Sequence, residues 1–182
     1  WYFGCIDGML NSLDIYSYNA GQQVWSKITA LSYPGSDFDV TVVNGVAYLT
    51  YIKDSMSAEL LTFDGTKLVS AGRYFYETNE YCGQPKVTGS GNTVYVSVRM
   101  ASGNKIRIYS YDGGFREIQQ NHLSSNTYDI YGTRDKLYVA LGGDALTLYE
   151  YQNGVWGSTV QAPTDSYEPM ITEAAGTIYV MA

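Results

Sequence analysis

Histidine is almost absent: His122 is the only one in 182 residues. With no second imidazole and no paired cysteines beside it, a zinc or copper site of ordinary ligand spacing cannot be assembled, so neither a metal nor a cofactor is expected. Cysteine is nearly as scarce, with Cys5 and Cys82 alone, which excludes a disulfide-stapled scaffold. The repeat described below separates these two, so free thiols are expected. Eleven Lys and Arg stand against eighteen Asp and Glu, a net charge of -7, and the basic residues are scattered singly. Nucleic acid is thereby excluded as a partner, since phosphate binding needs a basic patch. No apolar run reaches the roughly 18 residues of a spanning helix, so membrane insertion is not expected. There is no G-x-S-x-G elbow, no P-loop and no glycine fingerprint opening a helix; the GSGN at 89–92 reads as a hairpin turn. Helical periodicity is missing throughout.

What is abundant is tyrosine, nineteen in all, within a chain that is 45% apolar. Five of them, Tyr2, Tyr48, Tyr95, Tyr138 and Tyr179, recur at intervals of 46, 47, 43 and 41 residues. That period belongs to propeller blades rather than to solenoid turns. Around each internal tyrosine the pattern is the same: a short strand ending in a turn signal, an apolar strand carrying the tyrosine, a longer loop, an alternating strand, a tight Gly or Asn turn and a further strand. In KIRIYSYD, Ile106, Ile108 and Ser110 fall on one face, and Lys105, Arg107, Tyr109 and Tyr111 on the other. Asn44-Gly45, Asp64-Gly65 and Asn153-Gly154 are hairpin signals because primed turns need positive φ.

The expected fold is all-β: a β-propeller of four-stranded antiparallel blades, about four blade-length repeats, filling residues 1–182 and forming part of a larger propeller. Blades are placed at 1–30 (partial), 37–73, 85–120, 127–161 and 168–182 (partial). With the strands of a blade named A to D in chain order, there is one B strand too many for four complete blades. Further blades from the rest of a longer chain, or from another chain, are therefore expected to complete the ring.

Gly142-Gly143, Tyr149 and Trp156, in LYVALGGDALTLYEYQNGVW, resemble the double glycine, aromatic and tryptophan of a kelch repeat of the galactose-oxidase type, and Tyr18 and Trp25 match its second half. Tyr51-Ile52, Val98-Arg99 and Ile6-Asp7 stand where the other copies should carry a double glycine. The resemblance implies a kelch-like propeller scaffold and no catalytic residue, since the copper ligands of galactose oxidase have no counterpart here.

The loops divide the molecule. AB and CD connections are tight turns on one face, whereas the longer BC and DA loops share the other, the face on which binding is expected. Two groups of candidate ligand-binding residues lie there. Asp37, Gln84, Thr127 and Glu168 each stand eleven residues ahead of their blade's tyrosine and are expected to form a polar arc round the channel mouth. Tyr76, Tyr81, Tyr128 and Tyr167 belong to an aromatic set in or beside the DA loops, with Tyr33, Tyr74 and Phe75 its further members. Aromatic rings beside Asp, Gln and Glu suit a sugar face or a protein surface. The expectation is a non-catalytic, secreted or cell-surface recognition module whose partner is a glycan or a protein. Two alternatives stay open: the propeller portion of a secreted carbohydrate-active or cell-wall enzyme whose catalytic residues lie elsewhere, or a structural spacer. A catalytic pair within this segment would have to come from Asp7, Asp37, Asp54, Asp144 and Glu168 on the long-loop face, with two carboxyls about 5 to 9 Å apart.

Overall fold

The computed structural model describes residues 2–7, 12–32, 37–118, 123–157, 160–162 and 167–181. His122 and Tyr33 lie outside them, as do the side chains of Cys5 and Asp7. The described chain is all-β, relieved only by one 3-10 turn at Ser102–Asn104. Its strands form successive antiparallel meanders. The first sheet is β1 (Tyr2–Asp7), β2 (Ser12–Asn19) and β3 (Val24–Ser32). The second is β4 (Phe38–Val43), β5 (Val46–Ile52), β6 (Ser57–Phe63) and β7 (Leu68–Tyr76). The third is β8 (Cys82–Ser90), β9 (Thr93–Met100), β10 (Ile106–Tyr111) and β11 (Phe115–Glu117). The fourth is β12 (Tyr128–Gly132), β13 (Leu137–Leu141), β14 (Leu146–Gln152), β15 (Val155–Trp156) and β16 (Val160–Ala162), the last two sharing the edge of β14. The fifth is β17 (Met170–Ala174) with β18 (Thr177–Met181).

The tight turns behave as their sequences require. Asn44-Gly45 and Asn153-Gly154 both carry positive φ at two successive residues, the primed geometry that matches strand twist. Hydrophobic clusters then join each sheet to the next. Val96, Val98, Leu60 and Phe75 meet between the second and third sheets, and Ile108, Val139, Leu137 and Ile130 between the third and fourth. Smaller clusters around Leu49 and Ala140 join the first sheet to the second and the fourth to the fifth. Each fully buried aliphatic contributes about 1.5–3 kcal/mol, so both faces of a blade must be covered for it to persist. The repeat tyrosines take part: Tyr48 meets Tyr111 edge-on at 6.5 Å and Tyr95 meets Tyr151 at 6.3 Å, each reaching into the following blade.

Strands β4, β8, β12 and β17 are the innermost and stand side by side. Their free edges are clamped by side chains of the preceding blade. The Val87 N–H donates to Asp39 Oδ2 at 2.8 Å, the Gly132 N–H to Thr88 Oγ1 at 2.9 Å, and the Ile171 N–H to Asp129 Oδ2 at 2.9 Å. The strands converge so closely at the turn end that a Cβ added at Gly132 would overlap the Gly89 carbonyl, while one at Gly89 would overlap Val43. Replacing Gly132→Ala should cost about 1–3 kcal/mol because backbone, not a flexible side chain, must move. At about 2–4 °C per kcal/mol for a chain of this size, thermal unfolding should show a drop of several degrees. Gly21→Ala, where the nearest atom lies at ordinary contact distance, should leave the midpoint in place.

One buried carboxylate sets an acid limit. Glu59, on the face of the second blade, accepts hydrogen bonds from Tyr51 Oη at 2.6 Å, Ser70 Oγ at 2.7 Å and Lys53 Nζ at 2.9 Å. Burial pushes its pKa up, but these donors outweigh burial and hold it below its ordinary 4.5. A lowered folded-state pKa contributes stability that is present above about pH 4.5 and lost as the pH falls through the folded value. Denaturant titrations from pH 6 to pH 3 should therefore show a stability loss that Glu59→Gln makes shallower.

Candidate functional site

The structure brings the polar column together. Asp37, Gln84, Thr127 and Glu168, contributed by four successive blades, line one cavity of about 410 Å³ at the long-loop end of the innermost strands. Phe38, Pro85, Tyr128, Pro169 and Met170 complete its wall. The arc is held from within, since the Gln84 N–H donates to Asp37 Oδ2 at 3.0 Å. Gln84 sits at positive φ (50°) where β8 shifts register against β9, and Arg99 Nε donates to its Oε1 at 3.1 Å. Two residues deeper stands a second column, Asp39, Lys86 and Asp129, with Lys86 Nζ 3.4 Å from Asp129 Oδ1. Burial raises the Asp39 pKa against the opposing pull of the Val87 N–H and the Lys86 ammonium. Four carboxylates and one ammonium thus line the mouth and throat, an arrangement that accepts hydrogen bonds from hydroxyls or an ammonium group and repels anions.

Among the described residues, backbone hydrogen bonds tie several long loops together beside this mouth. Cys82 N–H donates to Ser55 O at 2.8 Å, joining the third blade to the second, while Ala101 N–H to Tyr81 O at 2.8 Å and Ser125 N–H to Asn104 O at 2.9 Å tie the loop after β9 to the connections before and after its blade. Beside the mouth a second cavity of about 490 Å³ opens between the third and fourth blades, lined by Asn104, Ser124, Asn126, Thr127, Asp144 and Tyr167 among others. A third, of about 440 Å³, lies outside the long-loop face between strand β11 and the turn joining β14 to β15, lined by Arg116, Glu117, Tyr151 and Trp156. The Trp156 indole N–H there is buried and has no hydrogen-bond partner among the described residues.

The aromatic set divides. Tyr76, Tyr81 and Tyr167 are exposed, at 53%, 65% and 84% respectively. Only Tyr167 borders a described cavity; Tyr76 lies under the Arg73 guanidinium at 4.9 Å. Tyr128 differs from the other three: it is only 4% exposed. Its hydroxyl donates to Gln84 O at 2.6 Å and receives Ser97 Oγ at 3.0 Å, so it forms the floor of the mouth instead of an exposed contact. The physical reason is its place as the first residue of an innermost strand, pressed against the preceding blade. Cys82 is free and half-buried, and burial pushes its thiol up to about 12, which makes it a poor nucleophile. It opens β8 in the third sheet whereas Cys5 is in β1 of the first, and Cys82 belongs to the strand rather than to the loop before it.

Sequence reasoning missed three groups. Asp39, Lys86 and Asp129 follow the polar column by two residues on the same strand face, and that spacing could have revealed them. Arg99 stood only as a departure from the double glycine. Arg116 and Trp156 meet across a blade boundary that no local pattern marks.

Innermost strands clamped side by side, and antiparallel meanders stacked face to face, define a β-propeller. No protein-family model matches the chain, and no curated protein matches it. Solved structures do. A single-site mutant of Aleuria aurantia lectin (AAL), in complex with alpha-methyl-L-fucoside, is 14% identical, with 91% of this chain covering 57% of that one at a TM-score of 0.58. The same mutant with Fucalpha1-6GlcNAc gives 14%, 91%, 58% and 0.58. AofleA from Arthrobotrys oligospora is 15% identical, with 86% of this chain covering 51% of that one at 0.57. The chain thus spans between half and three fifths of these structures' length, and at such identities the fold is what is shared. No helix among the described residues is long and apolar enough to cross a membrane.

Tyr128→Phe tests the floor of the mouth. It strands Gln84 O and Ser97 Oγ in a buried place, which should cost about 1–3 kcal/mol, read as a lower denaturation midpoint with an unchanged slope.

Proposed function

We propose that this chain is a non-catalytic recognition module that binds a glycan at the channel mouth on the long-loop face. The observation that carries this is the convergence of Asp37, Gln84, Thr127 and Glu168 from four blades on one cavity. Its volume lies within the roughly 300–1,000 Å³ of small-molecule sites. Carboxylates accept from sugar hydroxyls, the Gln84 amide donates to sugar oxygens, and Phe38 and the exposed Met170 supply apolar surface for a ring face. That the neighbouring lectin structures hold fucosides supports the ligand class. A glycan fits better than a protein surface because the mouth is concave and polar where protein interfaces are broad. The enzyme alternative keeps the same contact and has its chemistry elsewhere. We place the module outside the cell on composition, treat each sheet with its loops as one kelch-like blade, and hold that further blades accompany these.

A second place for the same class of ligand is the outer groove. The orphaned Trp156 indole N–H favours it, beside an Arg116 donor, a Glu117 acceptor and the Tyr151 ring.

A glycan array probed with this chain should show a defined set of bound glycans. Glu168→Ala and Gln84→Ala should then weaken binding about tenfold each, near 1.4 kcal/mol. If Arg116→Ala does so instead, the site is the outer groove; an array without signal defeats the glycan reading altogether.

A further inference from the structure

Resting on the glycan reading, we infer that the mouth and its neighbour between the third and fourth blades are consecutive subsites of one groove, so that the ligand is an oligosaccharide of two or more residues. Three physical links join the cavities. Thr127 lines both. Tyr167 and Glu168, adjacent in the chain, are divided between them, with Tyr167 bordering the second cavity and Glu168 the first. Arg99 holds a residue of each: its Nε donates to Gln84 Oε1 at 3.1 Å and its Nη1 to Asn104 Oδ1 at 2.8 Å.

The Arg99 bridge fixes what each amide can offer. With Gln84 Oε1 and Asn104 Oδ1 engaged by the guanidinium, both side chains present their NH₂ groups as donors. Each cavity also has its own carboxylate, Glu168 in the first and Asp144 in the second, to accept from hydroxyls. Donor and acceptor are therefore repeated along the groove, as a chain of similar sugar units requires, and the exposed Tyr167 ring supplies a stacking surface in the second subsite. The wall between them is firm. The Gly142 N–H donates to Thr127 O at 3.0 Å, and the Ser125 hydroxyl stands within donating reach of both the Thr127 carbonyl, at 2.7 Å, and the Gly142 carbonyl. A fixed wall lets a second sugar add affinity with little further ordering cost.

The test is calorimetric titration of the whole chain with cello-, manno-, xylo- and chito-oligosaccharides of one to four residues. At least one series should gain tenfold or more in affinity between the monosaccharide and the trisaccharide. Glu168→Ala and Asp144→Ala should each weaken the tetrasaccharide about tenfold. Arg99 is a positioning residue, so its readout is the ratio of trisaccharide to monosaccharide affinity. Arg99→Lys, which keeps the charge but cannot hold two amides in one plane, should collapse that ratio toward one. Sugars that bind with affinity independent of length, or a tetrasaccharide indifferent to Asp144→Ala, would overturn the shared groove and leave glycan binding standing. Absence of binding across all four series, together with a blank array, would overturn both.

Discussion

The structure depends on how the innermost strands satisfy their free edges. Strands β4, β8, β12 and β17 each pair with one neighbour in their own sheet, which leaves a row of N–H groups facing the channel. Buried backbone donors of this kind must find acceptors. Here the acceptors are short side chains one blade back: Asp39 for Val87, Thr88 for Gly132, Asp129 for Ile171. Each bond is short and two are charge-assisted, so the offset between blades is set by covalent side-chain length rather than by the softer packing of apolar faces. The same demand for proximity leaves no room for a Cβ at Gly132.

Because those clamps fix the offset, equivalent residues of different blades arrive at the same height. The site is a consequence of that. Apart from the Gln84 N–H bond to Asp37, the side chains of Asp37, Gln84, Thr127 and Glu168 are unlike one another; they converge because each stands at the long-loop end of an innermost strand. The clamps also make the mouth acidic, since two of their carboxylates, Asp39 and Asp129, belong to the column just beneath the arc. Lys86 occupies the same column and offsets part of that charge at 3.4 Å from Asp129. The clamps therefore stand directly beneath the proposed binding mouth, and substitutions in the throat should affect stability whatever they do to binding.

The repeat, the strands and the polar arc were legible in the sequence because each depends on local order: a tyrosine period, an alternation, a fixed count ahead of the tyrosine. The kelch-type pairing of Gly142-Gly143 with Trp156 pointed to the propeller scaffold, which is as far as the fold neighbours carry it. What stayed hidden depends on contacts between blades. Tyr128 and Tyr167 both flank a DA loop and look alike in the sequence, yet one is buried beneath Gln84 and the other stands in solvent. Arg99 could not be assigned a role until β9 and the 3-10 turn at Ser102–Asn104 brought Gln84 and Asn104 within its reach. The orphaned Trp156 N–H is of the same kind, the product of a boundary between blades.

The degeneracy of the repeat has a physical division. Two residues beyond the tyrosines, Thr50, Ser97 and Ala140 are all small and fully buried, for the next blade lies directly against them. Where a hydroxyl occurs in that column it is spent: Thr50 Oγ1 donates to Tyr74 Oη at 2.8 Å, which donates onward to Ser97 O at 3.2 Å, and Ser97 Oγ donates to Tyr128. Such positions tolerate little change in volume. Eleven residues ahead of the tyrosines the volume constraint is weaker, since the side chains line an open cavity, and Asp, Gln, Thr and Glu stand there in turn. A ring of identical residues would offer one contact repeated four times to a symmetric ligand. Four different ones, two acidic, one amide and one hydroxyl, present a directional surface, which is what an oligosaccharide with distinct ends requires.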